Sequence, residues 1–358
     1  MANSLQTNQT TSQNTTENYM LFSYWIIIVI FLGLVGNISA LVIFSKVPLK
    51  TRSTSIHYKA ISCSSLLSTI GYTLSYINST NNSTQDDVMA YFCRLAVFLE
   101  VSGYVTYAII LTVLQCYSLL KTFHFVKQIS VFASPKAAKL RIAAQCCIWT
   151  IGFALGFGLA WGVEDSVTSE NRKSCELKWA SGGVTWYRVM LTVAWMHVPG
   201  VISFIAIIAT QRVRNWVLAN NAVNSPTSFA AQVQNNALNK TLAGYFFISV
   251  ILYHTIALIA ATTQPSFLNS TPILVIKLLS QNHVVYGPFI FVFKSRSYRG
   301  HVGRILTCGS GEVSPSPASA TGNNSSSMPA GRSTGSTTSR SGHRRTAVVP
   351  ANPAGRPS

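Results

Sequence analysis

Glu100 is the only acidic residue within the long apolar stretches of this chain. It lies seven residues beyond Cys93, about two turns along a helix. A carboxylate at that depth in an apolar medium costs free energy unless it is paired, hydrated or protonated. Lys277 lies at a similar depth in the last apolar stretch and is its expected partner. The sequence therefore predicts a polar ligand pocket here, with a buried structural ion pair as the open alternative.

Three histidines, His197, His254 and His283, fall one each in the last three apolar stretches. Histidines in such stretches more often form hydrogen bonds between helices than bind a metal. We predict no metal site and no cofactor. His197 is assigned to the same ligand-binding set as Glu100 and Lys277.

Two cysteines, Cys93 and Cys175, lie at the edges of apolar stretches on the side where oxidation is possible. A disulfide between them would hold the loop that contains Cys175 over the mouth of a helix bundle. That loop would then cover a ligand cavity near Glu100.

No set of residues typical of catalysis is present in the sequence. There is no nucleotide-binding loop, no HExxH or GxSxG motif, and no pair of carboxylates in the apolar stretches. We therefore predict that the chain is not an enzyme. A transporter or channel stays open as an alternative, although it would need polar residues through the full depth of the bilayer.

The composition indicates a membrane protein. Hydrophobic residues make up 48% of the 358 residues and charged residues only 10%, whereas a soluble domain carries about 25% charged residues. A membrane span needs about 20 apolar residues. The sequence predicts an all-α protein with seven such spans: 22–46, 56–77, 92–120, 141–163, 188–211, 242–264 and 272–294.

The basic residues predict the orientation of these spans. Lys and Arg cluster in the segments after spans 1, 3, 5 and 7, and such clusters mark the cytoplasmic side. The N-terminus is then extracellular and the C-terminus cytoplasmic, in the plasma membrane. The net charge of +18 belongs to these inner segments, so nucleic-acid binding is not expected. Six Asn-x-Ser/Thr motifs fall on the opposite side as predicted glycosylation sites: Asn8, Asn14, Asn78, Asn81, Asn82 and Asn269.

Four segments follow from this pattern. Residues 1–20 are polar and are predicted to be a disordered, glycosylated extracellular segment, and residues 21–294 form the bundle. Residues 295–308 alternate basic and apolar residues, which is typical of a short amphipathic helix on the membrane surface. Cys308 at its end is a predicted palmitoylation site, with an exposed free thiol as the alternative. Residues 309–358 have the composition of a disordered cytoplasmic tail.

Residues 20–307 resemble the rhodopsin-like G-protein-coupled receptors. The matches are the Asn of span 1, the two cysteines of the family disulfide, the Trp of span 4 and the prolines of spans 5 and 7: Asn37, Cys93, Cys175, Trp149, Pro199 and Pro288. The resemblance implies a seven-helix receptor that binds an extracellular ligand and contacts a G protein or arrestin.

The positions of the family's activation motifs differ. Ser65 stands where the family has an Asp in span 2. The family's acid-Arg-Tyr motif falls on Tyr117-Ser118-Leu119 or, with a small gap, on Gln115-Cys116-Tyr117, and neither register has an acid or an Arg. The Asn-Pro-x-x-Tyr motif of span 7 is replaced by Gly287-Pro288-Phe289-Ile290-Phe291. The family residues that shape the bundle are present, whereas those of the activation motifs are replaced. This pattern is typical of a virus-encoded or otherwise fast-diverging receptor.

Two short stretches are similar to the prostanoid receptors within that family, namely SSLLST at 64–69 and CELKW at 175–179. The resemblance implies that Trp179 belongs to the ligand site. It also places Lys277 one position from the Arg that binds the carboxylate of a lipid ligand. Glu100 fits this ligand poorly, because it would neutralise Lys277.

The sequence thus predicts a receptor that senses an extracellular small molecule or lipid and signals through its cytoplasmic ends. A non-signalling decoy or a modulator of other receptors is the second hypothesis, and a transporter or channel is the third.

Overall fold

The computed structural model describes residues 2–46, 54–80, 86–127, 135–161, 166–167, 173–174, 189–190, 192–220, 226–263 and 271–306. Some of the predicted positions lie outside these residues: Cys175, Trp179, Asn81, Asn82, Asn269, Cys308 and the tail 309–358.

The described part of the chain is almost entirely helical. Its helices are α1 (Ala2–Ser45), α2 (Ser55–Thr80), α3 (Asp86–Lys127), α4 (Pro135–Trp161), α5 (Val198–Ala219), α6 (Pro226–Thr263), α7 (Thr271–Gln281), α8 (His283–Lys294) and α9 (Arg296–Leu306). A π-helical turn, Val193–His197, precedes α5. Strands β1 (Ser166–Val167) and β2 (Lys173–Ser174) form a small antiparallel pair. Helices α1 to α6 supply the first six spans, α7 and α8 supply the seventh, and the predicted seven-helix bundle with a short following helix is confirmed.

Helix α1 is longer than predicted. Its 44 residues would measure about 66 Å at 1.5 Å per residue, against about 30 Å for the hydrocarbon core of a bilayer. Residues 2–20 belong to this helix in the structure, and their predicted disorder stays a prediction. Extending an existing helix is much easier than starting one, so the apolar span provides the nucleus on which the polar segment continues.

Polar side chains of α2 are buried in protein instead of facing lipid. Five described segments are apolar and long enough to cross a membrane by themselves, and α2 is not among them. Five of its hydroxyl-bearing residues are at most 1% exposed: Ser62, Ser64, Ser65, Ser68 and Thr69. Buried against neighbouring helices, these residues make a serine-rich span compatible with a membrane.

Small residues allow the close approach of α3 to its two neighbours. A Cβ on Gly103 would lie 2.7 Å from the Ser64 carbonyl oxygen of α2. On the other side, Gly152 and Gly156 of α4 face the hydroxyls of Thr106 and Ser102, and an added Cβ would overlap both oxygens. The four-residue spacing of these glycines is a known means of close helix contact in membranes. Helix α3 is thereby the packed centre of the bundle.

The seventh span is broken at Asn282, between α7 and α8. Trp25 of α1 donates a hydrogen bond from Nε1 to Asn282 Oδ1 at 3.2 Å. About three turns further along α1, the Asn37 amide donates to the Val284 carbonyl oxygen at 2.7 Å. A Cβ on Gly36 would lie 2.9 Å from the Pro288 ring. Span 1 therefore contacts span 7 at the break and in α8, which follows it.

Four aromatic rings close the end of the bundle that leads into α9. Phe291 lies with its ring centre 4.9 Å from that of Phe44, 5.3 Å from Tyr58 and 5.6 Å from Tyr298. Tyr298 is 2% exposed, and burial raises the pKa of its hydroxyl to about 12. We call the half of the bundle nearer α9 the inner half and the half nearer Cys93 the outer half, following the predicted orientation.

Candidate functional site

Glu100 lies in the outer half, at a close approach of α2 and α3. A Cβ on Gly71 would lie 2.8 Å from the Glu100 backbone nitrogen and 2.8 Å from the Ala96 carbonyl oxygen. The Ser68 hydroxyl also lies 3.4 Å from the Glu100 carbonyl oxygen. The backbone that carries this carboxylate is thus fixed by span 2, and the Glu100 side chain is partly buried.

Lys277 on α7 interacts electrostatically with the Glu100 carboxylate. Its side chain is exposed at the surface of the bundle, whereas Glu100 is partly buried. The structure therefore brings together two residues that are 177 positions apart in the sequence. Charges of opposite sign attract more strongly in a low-dielectric site than in water.

Tyr72 of α2 interacts electrostatically with the Glu100 carboxylate and with two tyrosines of other spans, Tyr104 on α3 and Tyr253 on α6. His254 is the neighbour of Tyr253, and its ring centre lies 5.1 Å from that of Tyr104. This group offers phenolic hydroxyls and an imidazole beside one carboxylate and one ammonium. Such a set suits a ligand that has both polar groups and an apolar body.

His283 lies deeper than this group, with its imidazole among three aromatic rings. Its ring centre is 5.4 Å from Phe246, 5.7 Å from Tyr107 and 6.3 Å from Tyr72. Nδ1 donates to the Ser280 carbonyl oxygen at 2.6 Å, so Nε2 is left as an acceptor. Nε2 is buried and has no hydrogen-bond partner within the described residues. A buried acceptor of this kind is what a ligand hydroxyl or an ordered water would satisfy.

His197 is engaged in a contact between spans 5 and 6. Its Nδ1 donates to the Thr192 carbonyl oxygen at 2.8 Å, and its Nε2 lies 3.0 Å from Thr255 Oγ1. Both nitrogens are therefore occupied. The sequence grouped His197 with Glu100 and Lys277, but these contacts make it a residue that joins two helices. Thr255 also borders an apolar groove along α6 that is lined by Phe247, Ile248, Ile251, Leu252 and Ile256.

The winding of span 5 changes next to His197. The backbone N–H of Val198 donates to the Val193 carbonyl oxygen, which gives a π-helical turn. Pro199 follows directly and has no N–H to continue the α-helical pattern. Its carbonyl oxygen accepts a hydrogen bond from the Thr112 hydroxyl of α3 at 3.1 Å. Turns of this type are frequently found at functional sites.

Cys93 forms a disulfide whose partner lies outside the described residues, so the pairing with Cys175 stays a prediction. The Asn78 amide lies 2.8 Å from the Cys93 sulfur, and Asn78 is 2% exposed. A glycan requires an accessible amide nitrogen, whereas this amide is buried, and glycosylation at Asn78 stays a prediction. Asn8 and Asn14 lie in α1, and their glycosylation also stays a prediction.

The positions of the family's activation motifs lie within the buried core. Ser65 is fully buried, Ser118 is 2% exposed and Tyr117 is 8% exposed. Phe291 is fully buried in the aromatic cluster described above. Trp149 stacks near Phe153 on α4, with ring centres 5.5 Å apart.

The sequence analysis did not assign the tyrosines to the site, although the position of Tyr104 could have been inferred. Tyr104 is four residues after Glu100, so the two must share one face of a helix, and that spacing was available as a signal. Tyr72, Tyr253 and His254 lie on other spans, and their facing follows only from the packing. Within the described residues, no group of three or more His, Cys, Asp or Glu is arranged to hold a metal ion.

No model of a known protein family matches the sequence, and no curated protein sequence matches it. The structure, in contrast, matches 842 chains of solved structures. Squid rhodopsin is one of them, with a TM-score of 0.66 and 12% sequence identity over 82% of this chain and 88% of that chain. At this identity the likeness shows the fold alone, which is a rhodopsin-type bundle of seven helices in a multi-pass membrane protein.

Proposed function

We propose that this protein is a receptor that binds an extracellular ligand in the outer half of its bundle, between spans 2, 3, 6 and 7. The observation that carries the proposal is the electrostatic pair of Glu100 and Lys277 beside Tyr72. A fold of the rhodopsin type gives such a pair a place where ligand binding changes helix packing.

The ligand competes with one member of the pair for the other. A ligand carboxylate binds Lys277 in place of Glu100, and a ligand cation binds Glu100 in place of Lys277. Either exchange alters the attraction between α3 and α7. The ligand shifts the bundle only to the extent that it binds one arrangement better than another. His283 Nε2 then accepts a hydrogen bond from a hydroxyl at the deep end of the ligand.

A lipid with a carboxylate is the ligand class that we propose to test first. Lys277 supplies the cation, and the tyrosines supply aromatic surface. Trp179 and a Cys93–Cys175 disulfide would complete the site on the outside. The prostanoid likeness and a viral origin rest on the sequence motifs alone. At the inner end, a heterotrimeric G protein or arrestin is the proposed partner.

A screen of carboxylate lipids and peptides against cells that express the chain tests this proposal, with binding and second messengers as readouts. Lys277→Met and Glu100→Gln should each change the affinity for the active ligand by about tenfold, because one charged contact is lost. Arg94→Met is the matched control, since Arg94 is an exposed cation at the outer end of α3. If Lys277→Met abolishes surface expression while Arg94→Met does not, the pair is structural and the ligand site lies elsewhere.

A non-signalling decoy or receptor modulator is the second candidate. The observation in its favour is Ser118, which stands at the family's Arg position and is buried in contacts with α6. Ligand binding without any second-messenger response, at every expression level, would support it. A ligand-dependent response would exclude it.

A further inference from the structure

Near its end, α2 places an amide against a sulfur atom of α3. Asn78 Nδ2 donates a hydrogen bond to Cys93 Sγ, and the two atoms are 2.8 Å apart. Both residues lie inside the protein, since Asn78 is 2% exposed and Cys93 is 1% exposed. Two turns deeper, a Cβ on Gly71 would lie 2.8 Å from the Ala96 carbonyl oxygen, so the two helices are in close contact. The packing of α2 on α3 therefore holds this amide at the sulfur.

This hydrogen bond favours one oxidation state of Cys93 over the other. A neutral divalent sulfur is a weak acceptor, whereas hydrogen bonds to ionised groups are about twice as strong as those between neutral groups. Asn78 therefore stabilises Cys93 more as a thiolate than as half of a disulfide. A sulfur that is stabilised as its thiolate also leaves faster when a disulfide is attacked. Cys93 is, by this argument, the leaving group of its own disulfide.

Burial decides which sulfur of the disulfide is attacked. Cys93 is 1% exposed, so an incoming thiolate must reach the sulfur of its partner, which lies outside the described residues. A new S–S bond then forms with that partner, the old S–S bond breaks, and Cys93 leaves as a thiolate beside Asn78. A second thiol of the same reductant attacks the mixed disulfide and releases the partner. The two electrons of the dithiol pass to the protein cysteines, and its two protons go to the released partner thiol and to solvent.

We propose that the Cys93 disulfide is a redox-sensitive switch, that Asn78 is the positioning residue which stabilises Cys93 as the leaving group, and that the reductant is the dithiol of an extracellular redox protein. Reduction releases the segment that contains the partner cysteine from the outer end of α3. The switch is a property of the contact between α2 and α3, and it does not depend on which ligand the outer half takes.

The redox equilibrium of this disulfide is measured in the full-length protein in lipid nanodiscs, with no ligand added. Mixtures of reduced and oxidised dithiothreitol set the potential, and alkylation with a mass tag reports the reduced fraction. Thermal unfolding before and after reduction shows whether the bundle stays folded. The other cysteines are replaced first, so that only Cys93 and Cys175 remain: Cys63, Cys116, Cys146, Cys147 and Cys308.

Asn78→Leu should shift the equilibrium toward the disulfide by about tenfold, which is ~30 mV for a two-electron couple, and should slow reduction by a similar factor. The thiolate loses its donor, while the disulfide loses only a weak bond. Thr80→Ala is the matched control, because it removes the Asn78 glycosylation motif but keeps the amide, and both quantities should stay at the parental values. A purely structural role of Asn78 predicts the opposite sign, since loosened packing exposes the disulfide to the reductant.

Asn78→Ala and Asn78→Val keep the test valid if Asn78→Leu does not fold, and each should slow reduction. Reduction that is equally fast or faster in the folded variants would overturn the role of Asn78. Unfolding of the parental bundle on reduction would overturn the switch, because the disulfide would then be structural. Neither result bears on the ligand pocket, which is tested by Lys277→Met.

Discussion

The outer and inner halves of this bundle are held together by different chemistry. In the outer half, α3 and α7 are linked by the charges of Glu100 and Lys277. In the inner half, α2, α3 and α6 are linked by the amide of Asn239 and its hydroxyl partners. Charges act over several ångströms and respond to an arriving ion, whereas hydrogen bonds of neutral groups are short and directional. The comparison teaches that the interaction in the outer half is sensitive to an arriving ion, whereas the bonds in the inner half fix the positions of the helices.

Asn239→Asp should have the largest effect, because it places a charge in the half that is bonded through neutral groups. No basic side chain is among the hydrogen-bond partners of Asn239 within the described residues. The buried carboxylate should lower the free energy of unfolding by about 3 kcal/mol. Thermal unfolding of the purified protein measures it. Asn215→Asp, on the exposed surface of α5, is the control and should be close to neutral. An equal decrease in the free energy of unfolding in both variants would show that the inner half does not exclude charge in the way that we infer.

The Glu100–Lys277 pair should show an intermediate effect in a double-mutant cycle. Glu100→Gln and Lys277→Met should each destabilise the protein, and the double variant should be less destabilised than their sum. We expect a coupling energy of about 1 kcal/mol, since Lys277 is exposed at the surface of the bundle. Thermal unfolding in nanodiscs checks this at low and high salt. A coupling that is zero at low salt would mean that the outer half is not held by this pair.

His283→Phe should change stability little and ligand binding more. The variant loses the hydrogen bond to Ser280 but also removes a buried acceptor that has no partner in the described residues. These effects oppose each other, so the free energy of unfolding should change by less than about 1 kcal/mol. Parallel unfolding and binding measurements, once a ligand is found, separate the two roles. Unchanged binding would remove His283 from the site.

Thr80→Ala should have the smallest effect: the number of attached glycans should not change. It destroys the Asn78 motif without touching Asn78, whose buried amide lies against the Cys93 sulfur. Gel mobility before and after glycosidase treatment gives the count, with Thr84→Ala as the matched change at the Asn82 motif. A loss of one glycan in Thr80→Ala would show that Asn78 is accessible, contrary to the structure.

Sequence reasoning reached the outer half because charged residues are rare in membrane spans. Glu100 and Lys277 stood out by residue type alone, and similar depth was enough to pair them. Asn239 did not stand out, because asparagines, glutamines and serines are common in this chain. Its role depends on the facing of three helices, which no local spacing encodes.

Local motifs do not show which neighbours surround a residue in the folded bundle. The Asn78 motif is intact in the sequence, but its amide is buried against the Cys93 sulfur. Span 2 is rich in serine, and in the structure these serines are buried where α2 approaches α3. His197 was assigned to the ligand set, which stays a prediction, and its nitrogens are bonded within spans 5 and 6. In each case the missing information is which residue of another helix lies opposite.

The π-helical turn at Val193–His197 has a consequence for the motion of span 5. It holds one residue more than an α-helical turn, and each residue of an α-helix accounts for about 100° of rotation. Rewinding this turn to α-helical form would rotate the outer end of span 5 about the helix axis, and shift it along that axis, relative to Pro199. The hydrogen bond from Thr112 to the Pro199 carbonyl oxygen would hold that part of span 5 in place. Span 5 could thus rotate about its own axis without any tilt of span 6.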